Sequence, residues 1–224
     1  MRGLYAIIDV GSLENRGLDP LRFAESVLGA HPAALQLRDK TGGARRTLAL
    51  LRAIAPAAAR AGVPFFANDR PDLALLGGCD GVHVGQDDVP LALVRSLGPL
   101  RVGLSTHDAA QVEAALAEAP DYLAIGPIFA TASKDRPAPV VGLAALAALA
   151  ARVRAARPGL PVVAIGGITR ESAAAVGAHA DAVAVIQALL PEHAGHAGPE
   201  VYVEITARAR ALHDAIRGID GGGW

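Results

Sequence analysis

The chain has 224 residues, 52% hydrophobic and 19% charged, which is enough apolar material for a substantial core and excludes a disordered polymer. Lys and Arg number 21 against 22 Asp and Glu, a net charge of −1, so no basic field for nucleic acid exists and any anion site must be a local cluster. The single cysteine, Cys79, excludes an intrachain disulfide and suits a reducing compartment.

The first segment, 4–10, opens with an apolar run, 4–8, that Asp9 ends and that is too short for a signal-peptide core or a membrane span. It reads as a strand, followed by a turn at Asp9-Val10-Gly11-Ser12 and a helix over 21–29. The pattern then alternates in the same way. Strands are expected at 33–37, 64–67, 81–84, 101–104, 122–125, 161–165 and 182–186, each apolar on both faces. Helices are expected at 44–61, 72–76, 91–97, 109–119, 143–156, 171–176 and 200–217. The Ala-rich helix over 143–156 carries Arg152 and Arg154 and is expected to pack rather than to span a membrane. Eight strand–helix units in this length predict a single-domain α/β protein, a TIM (β/α)8 barrel over 1–217 with a frayed tail over 218–224. An open doubly wound sheet would call for a glycine-rich fingerprint after the first strand, and none is there. The expected setting is the cytoplasm, with no membrane or nucleic-acid partner.

In such a barrel the chemistry sits just past the strand ends. The second strand ends in Gln36-Leu37-Arg38-Asp39-Lys40, and alternation sends Gln36, Arg38 and Lys40 to one side. Arg and Lys there supply the fork and the point charge of a phosphate or pyrophosphate clamp. Asn68-Asp69-Arg70 follows the third strand and Gly85-Gln86-Asp87-Asp88 the fourth. One carboxylate from each neighbouring strand suits Mg²⁺, which takes few acids and completes its shell with water and phosphate oxygens. Asp69 is the better first ligand and Asp88 or Asp87 the second; the alternative is that these acids cap the helices that follow. After the fifth strand, Asp108 suits an N-cap, which leaves Ser105 for a ligand; His107 is a possible base, but a lone histidine beside a helix start is commonly structural. The sixth connection is long and carries Thr131, Ser133 and Lys134, a candidate functional loop. Gly166-Gly167 after the seventh strand allows backbone N–H groups to approach a phosphate.

Together these segments resemble the thiamine-phosphate synthase family. The resemblance runs from Leu4-Tyr5 to Val185-Ile186 and rests on Gln36–Lys40, Asn68-Asp69-Arg70, Gly81–Asp88, Ser105-Thr106-His107, Gly126-Pro127-Ile128-Phe129 and Ala164–Ile168, in that order. It implies a transferase that joins hydroxymethylpyrimidine pyrophosphate to thiazole phosphate and releases pyrophosphate. By the same resemblance Gln36, Arg38, Asp39, Lys40, Asn68, Ser105 and Lys134 hold the pyrimidine substrate, and Asp69 and Asp88 hold one Mg²⁺ per active site. Thr131, Ala132, Ser133, Gly167, Ile186 and Gln187 fall to the thiazole phosphate, while Arg38, Lys40, Ser105 and Lys134 are the expected catalytic groups. A homo-oligomer is left open. Two departures stand out: Ser133 replaces a Thr of the family's sixth loop and keeps its hydroxyl, and Gln187 replaces a Ser.

Three other readings compete. A thiazole tautomerase of the same fold resembles this chain but is expected to carry a His after the glycine that follows the sixth strand, where this chain has Gly126-Pro127. A sugar-phosphate epimerase or tryptophan-pathway barrel would need an acid and a base facing across the barrel. A non-catalytic thiamine-phosphate binder would be expected to have lost Arg38, Lys40, Asp69 or Lys134, and all are present.

Overall fold

The structure is a computed structural model that describes residues 1–131, 138–191 and 198–218. Eight parallel strands close into a barrel in sequence order, the last pairing with the first. They are β1 (Gly3–Asp9), β2 (Ala34–Arg38), β3 (Phe65–Asn68), β4 (Gly81–Val84), β5 (Arg101–Thr106), β6 (Tyr122–Ile125), β7 (Val162–Ile165) and β8 (Ala182–Val185). The helices between and after them are α1 (Val10–Glu14), α2 (Pro20–Leu28), α3 (Ala44–Ala61), α4 (Pro71–Gly77), α5 (Leu91–Leu97), α6 (Ala109–Glu118), α7 (Gly142–Ala156), α8 (Arg170–Gly177) and α9 (Pro199–Arg217). The expected (β/α)8 architecture is the observed one. Of the expected tail, everything from residue 219 lies outside the described residues.

The period-2 alternation of each strand divides the core in two. One set, including Leu4, Ile8, Leu35, Leu37, Phe65 and Val82, lies under the helices. The other fills the barrel: Tyr5, Ile7, Ala34, Phe66, Tyr122, Ala124, Val163, Ala182 and Ala184. Two aromatic rings occupy space that glycines leave empty. A Cβ on Gly103 would stand 1.9 Å from Cζ of Tyr122, and one on Gly81 would stand 2.6 Å from Cε1 of Phe66. The two rings meet edge to face at 5.5 Å.

Helix starts are fixed by the residues that composition favours there. Asp19 accepts the Arg22 N–H (2.8 Å) ahead of α2, Asp108 accepts the Gln111 N–H (2.8 Å) ahead of α6, and Thr169 with Ser172 forms a reciprocal cap on α8. At the opposite face, three acids tie neighbouring strands together. Asp80, Asp121 and Asp181 each directly precede an even-numbered strand, and they accept the N–H groups of Phe65, Val102 and Val162 at 2.8, 2.7 and 2.9 Å.

Most boundaries shift by a residue or two, and three differences bear on the site. The turn after β1 is the helix α1, capped by Asp9, whose Oδ1 accepts the Ser12 N–H at 3.0 Å. Five residues containing a glycine are too few to show a helical period. β5 continues through Ser105 and Thr106, paired with Ala124 and Ile125 of β6, so two hydroxyl residues that suggest a strand end lie inside the strand. β8 stops at Val185, and Ile186 instead precedes a 3₁₀ turn over Gln187–Leu189.

Candidate active site

The register determines which polar groups face the barrel mouth. Gln36 lies beside Ile7 and Phe66, Asn68 beside His83, His83 beside Gly103, and Ser105 beside Ala124. Since Ile7, Phe66 and Ala124 point inward, so do the polar residues level with them. Gln36 therefore points inward, and its amide reaches Asn68 Oδ1 at 3.4 Å.

Above this layer stands a ring of charge. Arg38 forms an ion pair with Asp9, a partner that the sequence pattern does not announce because it ends a different strand. Lys40 forms an ion pair with Asp69. Asp69 caps nothing: the N-cap position of α4 is Arg70, without a side-chain cap bond. Asp69 instead centres a tight turn in which the Arg70 N–H donates to the Asn68 carbonyl at 2.8 Å, and its φ is +62°. A non-glycine residue held in this region costs roughly 1–3 kcal/mol and is characteristic of functional sites. Asp88 does not cap α5 either, whose N-cap is Pro90; its Oδ2 accepts the Gly85 N–H at 2.7 Å. Burial, followed by the neighbouring Asp69 carboxylate, raises the Asp88 carboxyl above the ordinary carboxylate range, against the pull of the Gly85 N–H and of Lys40. Asp87 is exposed, so of the two acids Asp88 is the one turned toward Asp69.

Asp39 corrects the sequence reading. Its side chain has no exposed surface, and its oxygens are taken by the Gly42 N–H (2.8 Å), Thr47 Oγ1 (3.0 Å), and Arg46 Nε and Nη2 (3.1 and 2.7 Å). It stands between Arg38 and Lys40 in sequence but points the other way, as alternation requires, and anchors the loop before α3. Its carboxylate is therefore engaged by the protein itself rather than turned toward the mouth. Ser105 also has protein partners. The hydroxyl expected to await a ligand is bonded to Nε2 of His83 at 2.8 Å, and Nδ1 of His83 is bonded to the Tyr122 hydroxyl at 2.9 Å. His107 has the structural role: Nδ1 bonds the Gly126 carbonyl, and its N–H donates to Gln111 Oε1.

On the far side of the mouth, Gly166 and Gly167 have φ of +101° and +66°. The start of the sixth loop packs onto them so closely that a Cβ on Gly167 would lie 2.4 Å from the Ala130 carbonyl oxygen. The N–H groups of Ile128 and Phe129 donate to the Ile165 and Gly166 carbonyls at 2.9 and 3.0 Å. Thr131 is half-buried at the edge of this loop, while Ala132, Ser133 and Lys134 lie outside the described residues. Gln187 reaches toward α1: its Nε2 donates to Ser12 Oγ at 3.0 Å, and its Oε1 accepts from Arg16 Nη2 at 3.2 Å. Gln187 shares with Asp9, Ser12, Arg38 and Lys40 an open pocket of about 220 Å³. Neither Arg16 nor Ser12 stands out in the sequence, because both belong to the unexpected helix or its exit.

Chemically, this rim offers two facing carboxylates, cations beside them, and hydroxyl and amide donors below. Among the described residues no three His, Cys, Asp or Glu side chains form a group that could hold a metal by themselves. Two acids fit a hard cation that takes its other ligands from water and phosphate. No helix among these residues is long and apolar enough to cross a membrane.

Residues 4–189 match the model of a family described as thiamine monophosphate synthase. The chain is 44% identical over 223 residues to the thiamine-phosphate synthase of Anaeromyxobacter dehalogenans, covering 98% of this chain and 91% of that protein. It is 46% identical over 177 residues to that of Laribacter hongkongensis, covering 77% and 81%. Thiamine phosphate pyrophosphorylase from Pyrococcus furiosus shares the fold with a TM-score of 0.80 and 26% identity, over 98% of this chain and 97% of that one. The tryptophan synthase alpha subunit from Legionella pneumophila, at 19% identity and a TM-score of 0.69, is a likeness of fold alone. The tautomerase and binder readings find no support in these relatives. The chain belongs to the thiamine-phosphate synthase family of transferases.

Proposed function

We propose that the rim formed by β2 to β5 binds hydroxymethylpyrimidine pyrophosphate as its Mg²⁺ complex, and that the turn after β7, the sixth loop and the segment after β8 bind thiazole phosphate. The observation that carries this reading is the pair of carboxylates, Asp69 and Asp88, facing each other beside Lys40. Burial first and then the neighbouring Asp69 carboxylate raise Asp88, and a divalent cation would relieve the repulsion between the two acids.

The chemistry asked of the protein is leaving-group departure followed by attack of a neutral nitrogen. The pyrimidine methylene–oxygen bond breaks and its electron pair leaves with pyrophosphate. The thiazole nitrogen lone pair then forms the new carbon–nitrogen bond. That nitrogen carries no proton, so no general base is needed, which suits a site of cations and hydrogen-bond donors. Arg38, steadied by Asp9, and Lys40 would compensate charge on the departing pyrophosphate, with Lys134 of the sixth loop as a further cation. Mg²⁺ held by Asp69 and Asp88 would supply further charge neutralisation there. Gln36, Asn68 and Ser105 would orient the pyrimidine. On the other side Thr131, Ala132, Ser133, Gly167, Ile186 and Gln187 would meet the thiazole phosphate. Gln187 would have to exchange its bonds to Ser12 and Arg16 to do so.

Asp69→Asn tests the metal half. Asn is the same size and tolerates positive φ, so the fold should survive. Mg²⁺-dependent turnover should fall by at least about 100-fold, the scale of losing a main charge-stabilising contact. Unchanged activity at limiting Mg²⁺ would remove Asp69 from the site.

A further inference from the structure

Four buried groups form a continuous chain of hydrogen bonds across the barrel below the site. The Tyr5 and Tyr122 hydroxyls are 2.8 Å apart, the Tyr122 hydroxyl is 2.9 Å from Nδ1 of His83, and Nε2 of His83 is 2.8 Å from Ser105 Oγ. Each of these bonds holds one proton, and a neutral imidazole carries only one N–H, so with His83 neutral the relay through it must run in one of two directions.

If Ser105 donates to His83, the imidazole proton sits on Nδ1 and donates to Tyr122, and Tyr122 donates to Tyr5. The Tyr5 proton then has no acceptor among the described residues, and the Tyr122 proton would have none if Tyr5 were the donor of that pair. Tyr5 is 2% exposed, and Tyr122 is the hydroxyl's hydrogen-bond partner. A buried donor without an acceptor bears its full desolvation penalty. If the direction is reversed, Tyr5 donates to Tyr122, Tyr122 to Nδ1, and Nε2–H to Ser105. Every buried proton is then used, and the Ser105 proton is the one left over. Ser105 lies on the inner face at the C-terminal end of β5, where that proton can meet a ligand. Burial raises both tyrosine hydroxyls well above their ordinary range, so both stay protonated donors at neutral pH. Gln86 Nε2 holds the Ser105 carbonyl at 2.7 Å, which fixes the backbone that carries the hydroxyl.

We infer that Tyr122 and His83 are positioning residues that make Ser105 a hydrogen-bond donor toward the substrate, so that the atom it meets is an acceptor, a pyrimidine ring nitrogen rather than an amino group. The ligand half of this statement rests on the coupling function proposed above; the direction of the chain does not.

Two measurements separate these halves. In ¹⁵N NMR of the ligand-free protein, the His83 signal, identified by its absence from His83→Asn, should show the Nε2–H tautomer. An Nδ1–H tautomer would overturn the inference whatever the enzyme's activity. In steady-state kinetics Tyr5→Phe should keep KM for the pyrimidine substrate within about 2-fold, because Tyr122 remains a terminal donor to Nδ1. Tyr122→Phe removes the group that sets the direction. It should raise that KM about 3- to 10-fold and leave KM for thiazole phosphate unchanged. Equal effects of the two tyrosine variants, or equal shifts in both KM values, would show a role in packing alone and would overturn the inference.

Discussion

Asp39 and Asp69 show how differently two acids beside cations can be used. Asp69 is held at positive φ with its carboxylate at the site, whereas Asp39 is enclosed and bonded on all sides. Burial alone would raise the Asp39 carboxyl, but the bonds from Arg46, the Gly42 N–H and Thr47 outweigh it and hold the group below the usual carboxylate range. A folded-state pKa below the unfolded value gives stability that is fully present above the unfolded carboxylate pKa of about 4 and is lost as pH falls through the folded value. Asp39→Ala should therefore lower stability by about 1–3 kcal/mol at pH 7, as expected for several lost buried hydrogen bonds. Urea unfolding should show the difference from wild type steady between pH 7 and pH 5 and shrinking below about pH 4. At this scale the sequence showed Gln36, Arg38 and Lys40 on one side of the second strand and Asn68 and Asp69 at the end of the third, because period-2 alternation and strand ends are local features. It could not show that Asp9 partners Arg38, or that His83 partners both Ser105 and Tyr122, because those contacts join residues from 22 to 39 positions apart that only the closed barrel brings together.

At the scale of elements, most strands and helices were legible to within a residue or two, since a parallel barrel demands short doubly buried strands and amphipathic helices between them. The elements that escaped, α1 and the 3₁₀ turn at Gln187–Leu189, are too short to show a period, and they meet through Gln187, Ser12 and Arg16. The repeated acid before β4, β6 and β8 was visible as Asp80-Gly81, Asp121-Tyr122 and Asp181-Ala182, but its meaning appears only when each carboxylate meets the N–H of a neighbouring strand. Asp181→Ala strips Val162 of one such acceptor. Thermal or urea unfolding should show a loss of about 1–2 kcal/mol with kcat and both KM values unchanged, because this acid lies at the face opposite the site.

The molecule as a whole separates stability from chemistry along the barrel axis. The Asp80, Asp121 and Asp181 ties lie at the N-terminal ends of the strands, and strained Asp69, the acid pair and the ion-paired Arg38 and Lys40 lie at the C-terminal ends. This division explains why the fold was more legible than the site. Burial patterns repeat eight times, whereas each site contact occurs once. The central claim is that two phosphorylated substrates are joined at this mouth. Its most direct test is ³¹P NMR of the purified protein with hydroxymethylpyrimidine pyrophosphate, thiazole phosphate and Mg²⁺. Thiamine phosphate and pyrophosphate should appear together in equal amounts, and neither should form when one substrate is omitted. Pyrophosphate release without thiamine phosphate, or no reaction with both substrates and Mg²⁺ present, would contradict it.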